Sequence, residues 1–320
     1  MDPFKFQIIT TEKRGTILRK ASFGCLSGIP TINITKGCLL GCVYCYARGY
    51  KIAPEKGKVY LFTNIPNLLE KYFNSPRKKS LPSLVIFNTA SDCFQPHPDI
   101  LNTTYITMEI LLKKGVQIAF LTKGIITERF FRLFSKYSSY VMPSITINSF
   151  DKEYVAKYEP NTASPLERIK NLKELINIGI KPGVRIDPII PFVNDSEESF
   201  ERLLSKISEI GIKEVTASSI HIRPSIENIL KKELSDIHKE LLFSYFKTQN
   251  WRKIANGPFE KLVPLPLRKK IYERLKVIAD KKGIHVKICQ CKNPDLKGDK
   301  CFSLKSKNRV SYGQLPLFLC

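Results

Sequence analysis

Short apolar runs alternate with amphipathic segments along the middle of the chain. Each run ends in polar residues, and the segments between the runs carry apolar residues at helical spacing, which predicts strands followed by helices. The predicted strands are TINITK (31–36), SLVIFNTASD (83–92), VQIAFLTKG (116–124), YVMPSITINS (140–149), GVRIDPIIP (183–191) and EVTASSIHI (214–222). The predicted helices between them cover about 66–75, 99–114, 127–137, 165–178 and 196–210. Six strand–helix units in series predict an α/β fold with a parallel sheet, either curved as a partial barrel or wound as an open sheet.

Helix caps support two of these boundaries. Ser164 precedes Pro165 and an early acid, Glu167, which is typical of a helix N-terminus, and Gly179 ends the same helix. Asp195 is placed to cap the helix that follows the fifth strand.

The last third of the chain has a different pattern. Two long basic helices are predicted at about 225–247 and 266–282, followed by the strand-like segment IHVKI and a tail with cysteines. We therefore divide the chain into an N-terminal extension (1–30), a (β/α)6 core (31–225), and a C-terminal helical region with a cysteine-containing tail (226–320).

Composition limits the class of protein. No window of the 320 residues has the 18 or so continuous apolar residues of a membrane span, and the first residues lack the apolar stretch of a secretory signal. We therefore expect a cytoplasmic protein with no membrane association. The net charge of +23, from 52 Lys and Arg against 29 Asp and Glu, favours a polyanionic partner such as nucleic acid. The alternative is a Lys-rich composition that reflects an AT-rich or heat-adapted genome.

Nine cysteines, odd in number and clustered, favour metal or redox chemistry over a disulfide framework. Cys38, Cys42 and Cys45 lie within GCLLGCVYCYARG, a loop after the first predicted strand, where parallel α/β folds place their chemistry. Zinc normally takes four ligands, and no fourth Cys or His lies nearby in the sequence. Three close thiolates suit three irons of a [4Fe-4S] cluster and leave the fourth iron open to an external ligand. A zinc knuckle or chance spacing is the alternative.

The spacing Cys-x3-Cys-x2-Cys, with the aromatic Tyr44 before the last cysteine, resembles the signature of radical S-adenosylmethionine (SAM) enzymes. The blocks NTASDCFQP, LTKG, SITIN, YEPNTASPLERI and GVRIDPIIPFVND follow in order. Together with the cysteine loop they resemble the spore photoproduct lyase-like branch, often labelled DNA repair photolyase, over roughly residues 30 to 225. The resemblance implies the partial (β/α)6 TIM-like barrel of the radical SAM type, a [4Fe-4S] cluster on the three cysteines, and SAM at the open iron.

The resemblance also implies an activity. One electron, from a donor such as flavodoxin or ferredoxin, cleaves SAM, and the resulting 5′-deoxyadenosyl radical takes hydrogen from a nucleic-acid component. Repair of a DNA lesion is the favoured function. One alternative is modification of RNA or tRNA by the same radical chemistry. Another is a non-catalytic Fe–S or zinc protein that binds nucleic acid.

A SAM site needs hydrogen-bonding groups for the amino acid end, the ribose and the adenine, and the predicted strand ends supply candidates. Alongside Tyr44, the candidates are Asp92 for the ribose or amino group, Thr122 and Lys123 for the carboxylate, Asn148 and Arg185 at the same mouth, and Ile189 and Ile190 beside the adenine. The alternative for each is an ordinary strand-end residue that caps a helix or faces water.

The resemblance further implies a cysteine near the second strand that returns a hydrogen atom to the substrate radical. In the lyase the block reads C-T-S-D, whereas this chain has Thr89-Ala90-Ser91-Asp92, so that Thr89 replaces the lyase cysteine and Cys93 follows the aspartate. Cys93 is therefore a candidate catalytic hydrogen donor from a shifted position, and a small packing residue is the alternative. The departure argues against literal spore photoproduct lyase activity.

The tail carries a second set of thiols, Cys289, Cys291 and Cys301, in ICQCKNPDLKGDKCF. They are candidate ligands of a second Fe–S cluster or a zinc ion, with Cys320, Cys25 or His285 as a fourth ligand. The alternatives are a local staple of the tail or thiols that handle substrate.

Two further features bear on partners. Short basic runs at 77–79, 231–232, 268–270 and 281–282, together with QNWRKI around Trp251, would form a phosphate-tracking surface. The last residues contain Gln314-Leu315-Pro316-Leu317-Phe318, which resembles the QLxLF peptide by which bacterial DNA repair proteins dock on the replication sliding clamp. The alternative is an apolar tail that packs on its own barrel.

Overall fold

A computed structural model describes residues 6–22, 24–76, 80–253 and 259–299. Within these ranges the strands are β1 (Gln7–Thr11), β2 (Arg19–Lys20), β3 (Pro30–Ile32), β4 (Thr35–Lys36), β5 (Lys58–Phe62), β6 (Leu84–Phe87), β7 (Gln117–Thr122), β8 (Val141–Thr146), β9 (Gly183–Ile189), β10 (Glu214–Ser219), β11 (His221–Ile222), β12 (Arg252–Lys253), β13 (Phe259–Leu262) and β14 (His285–Ile288). The helices are α1 (Ile65–Phe73), α2 (Pro98–Lys113), α3 (Glu128–Lys136), α4 (Lys152–Tyr158), α5 (Pro165–Asn177), α6 (Glu197–Ser208), α7 (Pro224–Glu233), α8 (Asp236–Ser244) and α9 (Leu265–Asp280).

The main sheet contains eight strands in the order β14-β10-β9-β8-β7-β6-β3-β2. The neighbours from β3 to β10 are parallel, as is β14 beside β10, while β2 is antiparallel at the other edge. β6 is buried at all four positions, as expected for a parallel strand with packing on both faces. The predicted α/β fold with a mostly parallel sheet is confirmed, and IHVKI adds a seventh parallel strand to it.

The first predicted strand is wrong in its extent. TINITK divides into β3, in the main sheet, and β4, which pairs with β5 in a separate sheet of order β1-β5-β4. Asn88 causes the break, because its Oδ1 accepts from the Ile34 N–H at 3.0 Å while its own N–H donates to Ile32 O at 2.7 Å. A side chain therefore takes the place of the next ladder bond.

The predicted cap at Asp195 is also wrong. The Ser196 hydroxyl accepts from the Ser199 N–H at 3.1 Å and caps α6, whereas Asp195 Oδ1 accepts from the Phe192 N–H at 2.6 Å in the preceding turn. A short side chain one residue later can reach the helix N–H groups, and the aspartate stabilises the turn instead.

The cap at Ser164 is confirmed as a capping box. Its hydroxyl accepts from the Glu167 N–H at 3.2 Å, and the Glu167 carboxylate accepts from the Ser164 N–H at 2.6 Å. The helix predicted over 225–247 is in fact two, α7 and α8, because Leu234 is extended and Ser235 begins a new helix.

The C-terminal region packs against the cysteine loop through a second apolar cluster. Val43 of the loop packs in this cluster with Ile190 after β9 and with Ile226 and Leu230 of α7. Gly49 lies so close to α7 that an added Cβ would come within 2.1 Å of Ser225 Oγ. The helical C-terminal region is thus confirmed and lies beside the loop, while the boundaries at residues 30 and 225 stay a prediction.

In the part of the chain described here, none of the helices has the length and apolar content to cross a lipid bilayer.

Candidate active site

The cysteine loop follows β4 and is fixed by backbone contacts to three other segments. The Leu39 N–H donates to Gln95 Oε1 at 2.7 Å, and Leu39 O accepts from Asn161 Nδ2 at 3.0 Å. The Val43 N–H donates to Tyr158 O at 3.1 Å. Because side chains and backbone from distant blocks hold it, the loop is ordered by the fold itself.

Two glycines in the loop are required by its path. Gly37 has a φ of +91°, and an added Cβ would lie 2.7 Å from Pro54 Cγ and 2.9 Å from Lys58 O. Gly41, just before Cys42, has a φ of +63°, in the left-handed region that favours glycine. The loop therefore turns tightly enough to return its thiols to one place.

The three thiols influence each other electrostatically. Burial raises the pKa of Cys38, and the nearby charges of Asp92, Cys45 and Cys42 raise it further. Burial also raises the pKa of Cys42 to about 12, although Lys123 opposes the shift. Without metal these thiols hold their protons, so a cluster that binds here displaces them.

Among the residues that the structure describes, no three His, Cys, Asp or Glu side chains already surround a single metal-ion position. The fit of the cysteine loop to a [4Fe-4S] cluster therefore depends on its donor set, three soft thiols on one constrained turn.

Asp92 organises the ends of the neighbouring strands. Its Oδ1 accepts from the Phe94 N–H at 2.8 Å and from Thr122 Oγ1 at 2.7 Å, and its Oδ2 accepts from the Lys123 N–H at 2.9 Å. Burial raises the pKa of Asp92, although these hydrogen bonds oppose the rise. The structure thus brings together Asp92, Thr122 and Lys123, and their contacts with SAM stay a prediction.

A buried network that the sequence did not predict surrounds Tyr44. Its hydroxyl donates to Glu159, which also accepts from Asn148 Nδ2 at 2.8 Å and pairs with Arg168 at 2.6 Å. Burial would raise the pKa of Glu159, but the guanidinium of Arg168 and then the ammonium of Lys123 hold it below its usual range.

The signal for this network was present in YEPNTASPLERI, which contains both Glu159 and Arg168. It marks a resemblance, but only the fold shows that the two charges meet. Asn148 belongs to the same network, since its Oδ1 accepts from the Asp187 N–H at 2.7 Å.

Asp187 joins the mouth of the sheet to the C-terminal tail. Lys292 Nζ contacts its two carboxylate oxygens at 2.6 and 2.8 Å, and Arg185 contacts it at 3.1 Å. Burial would raise the pKa of Asp187, but Lys292, Arg185 and then Lys123 outweigh it and hold the pKa well below its usual value. The Lys123 ammonium also lies 5.5 Å from the centre of the Tyr44 ring. Asp187 and Lys292 are site residues that sequence reasoning missed.

Ile189, Ile190 and Cys93 are fully buried. Cys93 lies in the main apolar core, and its carbonyl accepts from Thr104 Oγ1 at 3.1 Å. Burial raises its pKa well above the usual value. This environment is what the packing interpretation of Cys93 requires, and its role as hydrogen donor stays a prediction, as does that of Ile190 beside the adenine.

A chain of side chains links the cysteine loop to the small sheet of order β11-β13-β12. The Arg223 guanidinium lies 4.8 Å from the Tyr46 ring centre and 5.6 Å from that of Tyr50. Its Nε donates to Glu260 of β13 at 2.7 Å, and Glu260 also pairs with His221. The small sheet is therefore attached to the loop.

Several sequence predictions fall outside the described residues. These are Cys301, Cys320, the basic run 77–79 and the peptide Gln314–Phe318. Clamp docking stays a prediction for this reason, as does a second cluster that includes Cys301.

A family model decides the superfamily. The radical SAM superfamily model matches residues 32–207, which include the cysteine loop and β6 to β9. The chain belongs to the radical SAM superfamily. This radical SAM enzyme is therefore expected to use a [4Fe-4S] cluster and SAM, as the superfamily does.

Uncharacterized relatives share parts of the sequence. A protein of Acidianus two-tailed virus is 24% identical over 247 residues, which cover 69% of this chain and 81% of the viral one. A protein of Methanocaldococcus jannaschii is 32% identical over 172 residues, or 52% of this chain and 62% of the archaeal one.

The fold is similar to that of spore photoproduct lyase. The structure of that enzyme complexed with dinucleoside spore photoproduct superposes with a TM-score of 0.65 at 16% identity, covering 87% of this chain and 81% of the lyase. At this identity the likeness establishes the shared radical SAM α/β fold.

Proposed function

We propose that this radical SAM enzyme acts on nucleic acid and that its substrate is a DNA lesion. The observation that carries the proposal is an aromatic and cationic surface attached to the cysteine loop. We call it the basic hairpin and define it as Trp251, Arg252, Lys253, Phe259 and Lys261.

The side chains of the basic hairpin suit a single-stranded or unstacked nucleic acid. Trp251 and Phe259 are 37% and 55% exposed, and the Lys261 ammonium lies 4.8 Å from the centre of the Trp251 ring. Exposed aromatic rings offer stacking to bases, while adjacent cations follow the phosphates. A soluble protein without such a ligand has little reason to expose two large aromatics beside three cations.

The position of the basic hairpin relates it to the chemistry. Glu260 lies on β13 within the hairpin and binds Arg223, which stacks on Tyr46 directly after Cys45. A polymer held on the hairpin would therefore lie near the cysteine loop. The net charge of +23 provides long-range attraction to such a polymer.

The chemistry divides between the cofactors and the protein. When bound, the cluster and SAM supply a 5′-deoxyadenosyl radical able to take hydrogen from the substrate. Cys38, Cys42 and Cys45 would hold the cluster, and the fixed loop would orient its open iron toward the mouth. Lys123, between Tyr44 and Asp187, would supply positive charge for the SAM carboxylate.

The fold match favours DNA over RNA. Spore photoproduct lyase shares this fold and is known in complex with dinucleoside spore photoproduct. The lyase cysteine is replaced here by Thr89, so we propose a lesion substrate without proposing the same lesion.

Binding can be tested by fluorescence anisotropy with labelled DNA and RNA oligonucleotides of equal length over a range of salt. Trp251→Ala should weaken binding by roughly 5- to 100-fold, because stacking on one aromatic contributes about 1–3 kcal/mol per base. The double variant Arg252→Gln, Lys253→Gln should lower the salt dependence by about 0.7 per lost contact with a single strand.

The matched control is Arg132→Gln, Lys136→Gln on the crossover helix α3, which removes the same two exposed charges elsewhere. Equal weakening by both double variants would mean that only net charge matters and that the basic hairpin is not the interface.

The reaction is tested with anaerobically reconstituted, dithionite-reduced protein and ultraviolet-irradiated DNA. Formation of 5′-deoxyadenosine with loss of a photoproduct, followed by mass spectrometry of digested nucleosides, is expected. Changes confined to RNA nucleosides would favour the alternative of RNA modification and would contradict the DNA proposal.

A further inference from the structure

A second group of thiols lies outside the cysteine loop, where short turns from opposite ends of the chain meet. The turn Gly24–Leu26 contacts the turn Gln290–Lys292. Beside this contact, Cys289 Sγ and Cys291 Sγ are 3.0 Å apart. Two sulfur atoms separated by one residue therefore lie close enough to share a single ligand.

The N-terminal turn brings a third thiol to the same place. Gly24 has a φ of +50°, and a Cβ added there would lie 2.9 Å from Cys291 Cβ and 3.2 Å from Cys291 Sγ. Because no side chain fits between them, the backbone of Gly24 lies directly against Cys291. The next residue is Cys25, which is half-buried.

The chain after β14 turns back toward Cys289. The Gln290 N–H donates to Asp299 O at 2.9 Å, and the Asp299 N–H donates to Ile288 O at 2.8 Å. Asp299 thus lies beside Cys289, as a bridge between the two strands of this turn. Cys301 follows two residues later, and two residues of chain span at most about 7 Å.

We propose that Cys25, Cys289 and Cys291 bind a thiophilic divalent ion of the zinc type, with Cys301 as the fourth ligand. Zinc prefers four tetrahedral ligands with Zn–S bonds of about 2.3 Å, which places neighbouring sulfurs about 3.8 Å apart. The Cys289–Cys291 separation of 3.0 Å is near this value, so small side-chain rotations suffice to admit the ion. A pair this close suits one shared ion better than two separate irons of a cluster.

The ion would act as a staple between distant parts of the chain. It would tie the N-terminal turn to the turn after β14, whose next residue is Lys292. Lys292 holds Asp187 at the mouth of the sheet, with its Nζ 2.6 Å from the carboxylate. The site thus goes beyond the proposed function, since it would fix the geometry of the mouth whatever the substrate is.

Metal analysis of anaerobically purified protein tests the proposal. Wild type should contain about one zinc per chain in addition to iron. The triple variant Cys25→Ala, Cys289→Ala, Cys291→Ala should lose the zinc and keep the iron. The reciprocal variant, Cys38→Ala, Cys42→Ala, Cys45→Ala, should lose the iron and keep the zinc.

Cobalt gives a second readout on the intact wild-type chain. After removal of zinc with a chelator, one equivalent of Co²⁺ should produce thiolate charge-transfer absorption, and zinc should abolish it. No thiolate absorption in wild type would overturn the proposal, as would loss of iron rather than zinc in the first triple variant. A disulfide between Cys289 and Cys291, detected by mass spectrometry of the non-reduced protein, would also overturn it.

Discussion

Two ion pairs flank the candidate SAM site, and they differ in what they connect. Glu159 and Arg168 are 2.6 Å apart with side chains 1% and 0% exposed. Asp187 and Lys292 are also 2.6 Å apart, but their side chains are 11% and 22% exposed. The first pair lies within the predicted core, whereas the second joins β9 to the C-terminal tail.

The surroundings of the two pairs differ as well. Arg168 Nε donates to Ala163 O at 2.8 Å and its NH1 to Thr146 O at 3.0 Å, so the guanidinium is bound on several sides. Lys292 reaches Asp187 by one flexible side chain. The difference indicates that the first pair fixes the loop rigidly, while the second lets the tail influence the mouth.

The largest expected effect is on the inner pair. Glu159→Gln leaves the buried Arg168 charge without its partner, which should lower the free energy of unfolding by about 3–5 kcal/mol. Tyr44 loses its carboxylate acceptor in the same variant, so iron incorporation should fall too. Urea unfolding followed by circular dichroism, with iron analysis, measures both effects.

The matched control is Glu153→Gln on α4, which removes an exposed pair with Lys157 at 2.6 Å. Exposed pairs contribute little, so this variant should unfold like wild type. If the two variants cost the same, burial does not distinguish the pairs and the comparison is wrong.

A third pair, Glu260 with His221 and Arg223, tests the C-terminal side through pH. Burial alone would raise the pKa of Glu260, but His221 and Arg223 lower it from 4.5 to about 2. A carboxylate with a depressed pKa stabilises the fold above its unfolded value and loses that effect as pH falls through its folded value. Wild type should therefore lose up to about 3 kcal/mol between pH 5 and pH 2 from this group.

Glu260→Gln should flatten that part of the stability curve and be less stable at neutral pH. Urea unfolding at a series of pH values measures the slope for both proteins. An unchanged slope would show that Glu260 is not held in its charged form by these partners, and the link from the basic hairpin to the cysteine loop would weaken with it.

The order of strands and helices in the core was predictable because burial on both faces leaves clear apolar runs. The breaks inside those runs were not, since the end of β3 depends on the side chain of Asn88, 56 residues further along the chain than Ile32. A contact so distant leaves no periodic signal. β14 was recognised only as strand-like, because four residues do not show which sheet they join.

The site divides in the same way. The cysteine loop was predictable because its chemistry is local, three thiols and two glycines in one turn. Glu159, Asp187 and Lys292 were missed because charged residues are common, and only the fold shows which of them meet. Their shared feature is burial of charge, which cannot be read from the sequence alone.

The smallest expected effect is on the outer pair. Lys292→Ala leaves Asp187 with Arg185 at 3.1 Å and with the positive charge of Lys123, so the carboxylate is not abandoned. The free energy of unfolding should fall by about 1 kcal/mol, less than for Glu159→Gln. The matched control is Lys287→Ala on β14, which removes an exposed pair with Glu214 and should cost less still. Urea unfolding of the three proteins decides the order, and a loss for Lys292→Ala as large as that for Glu159→Gln would mean that the tail is as integral to the fold as the core.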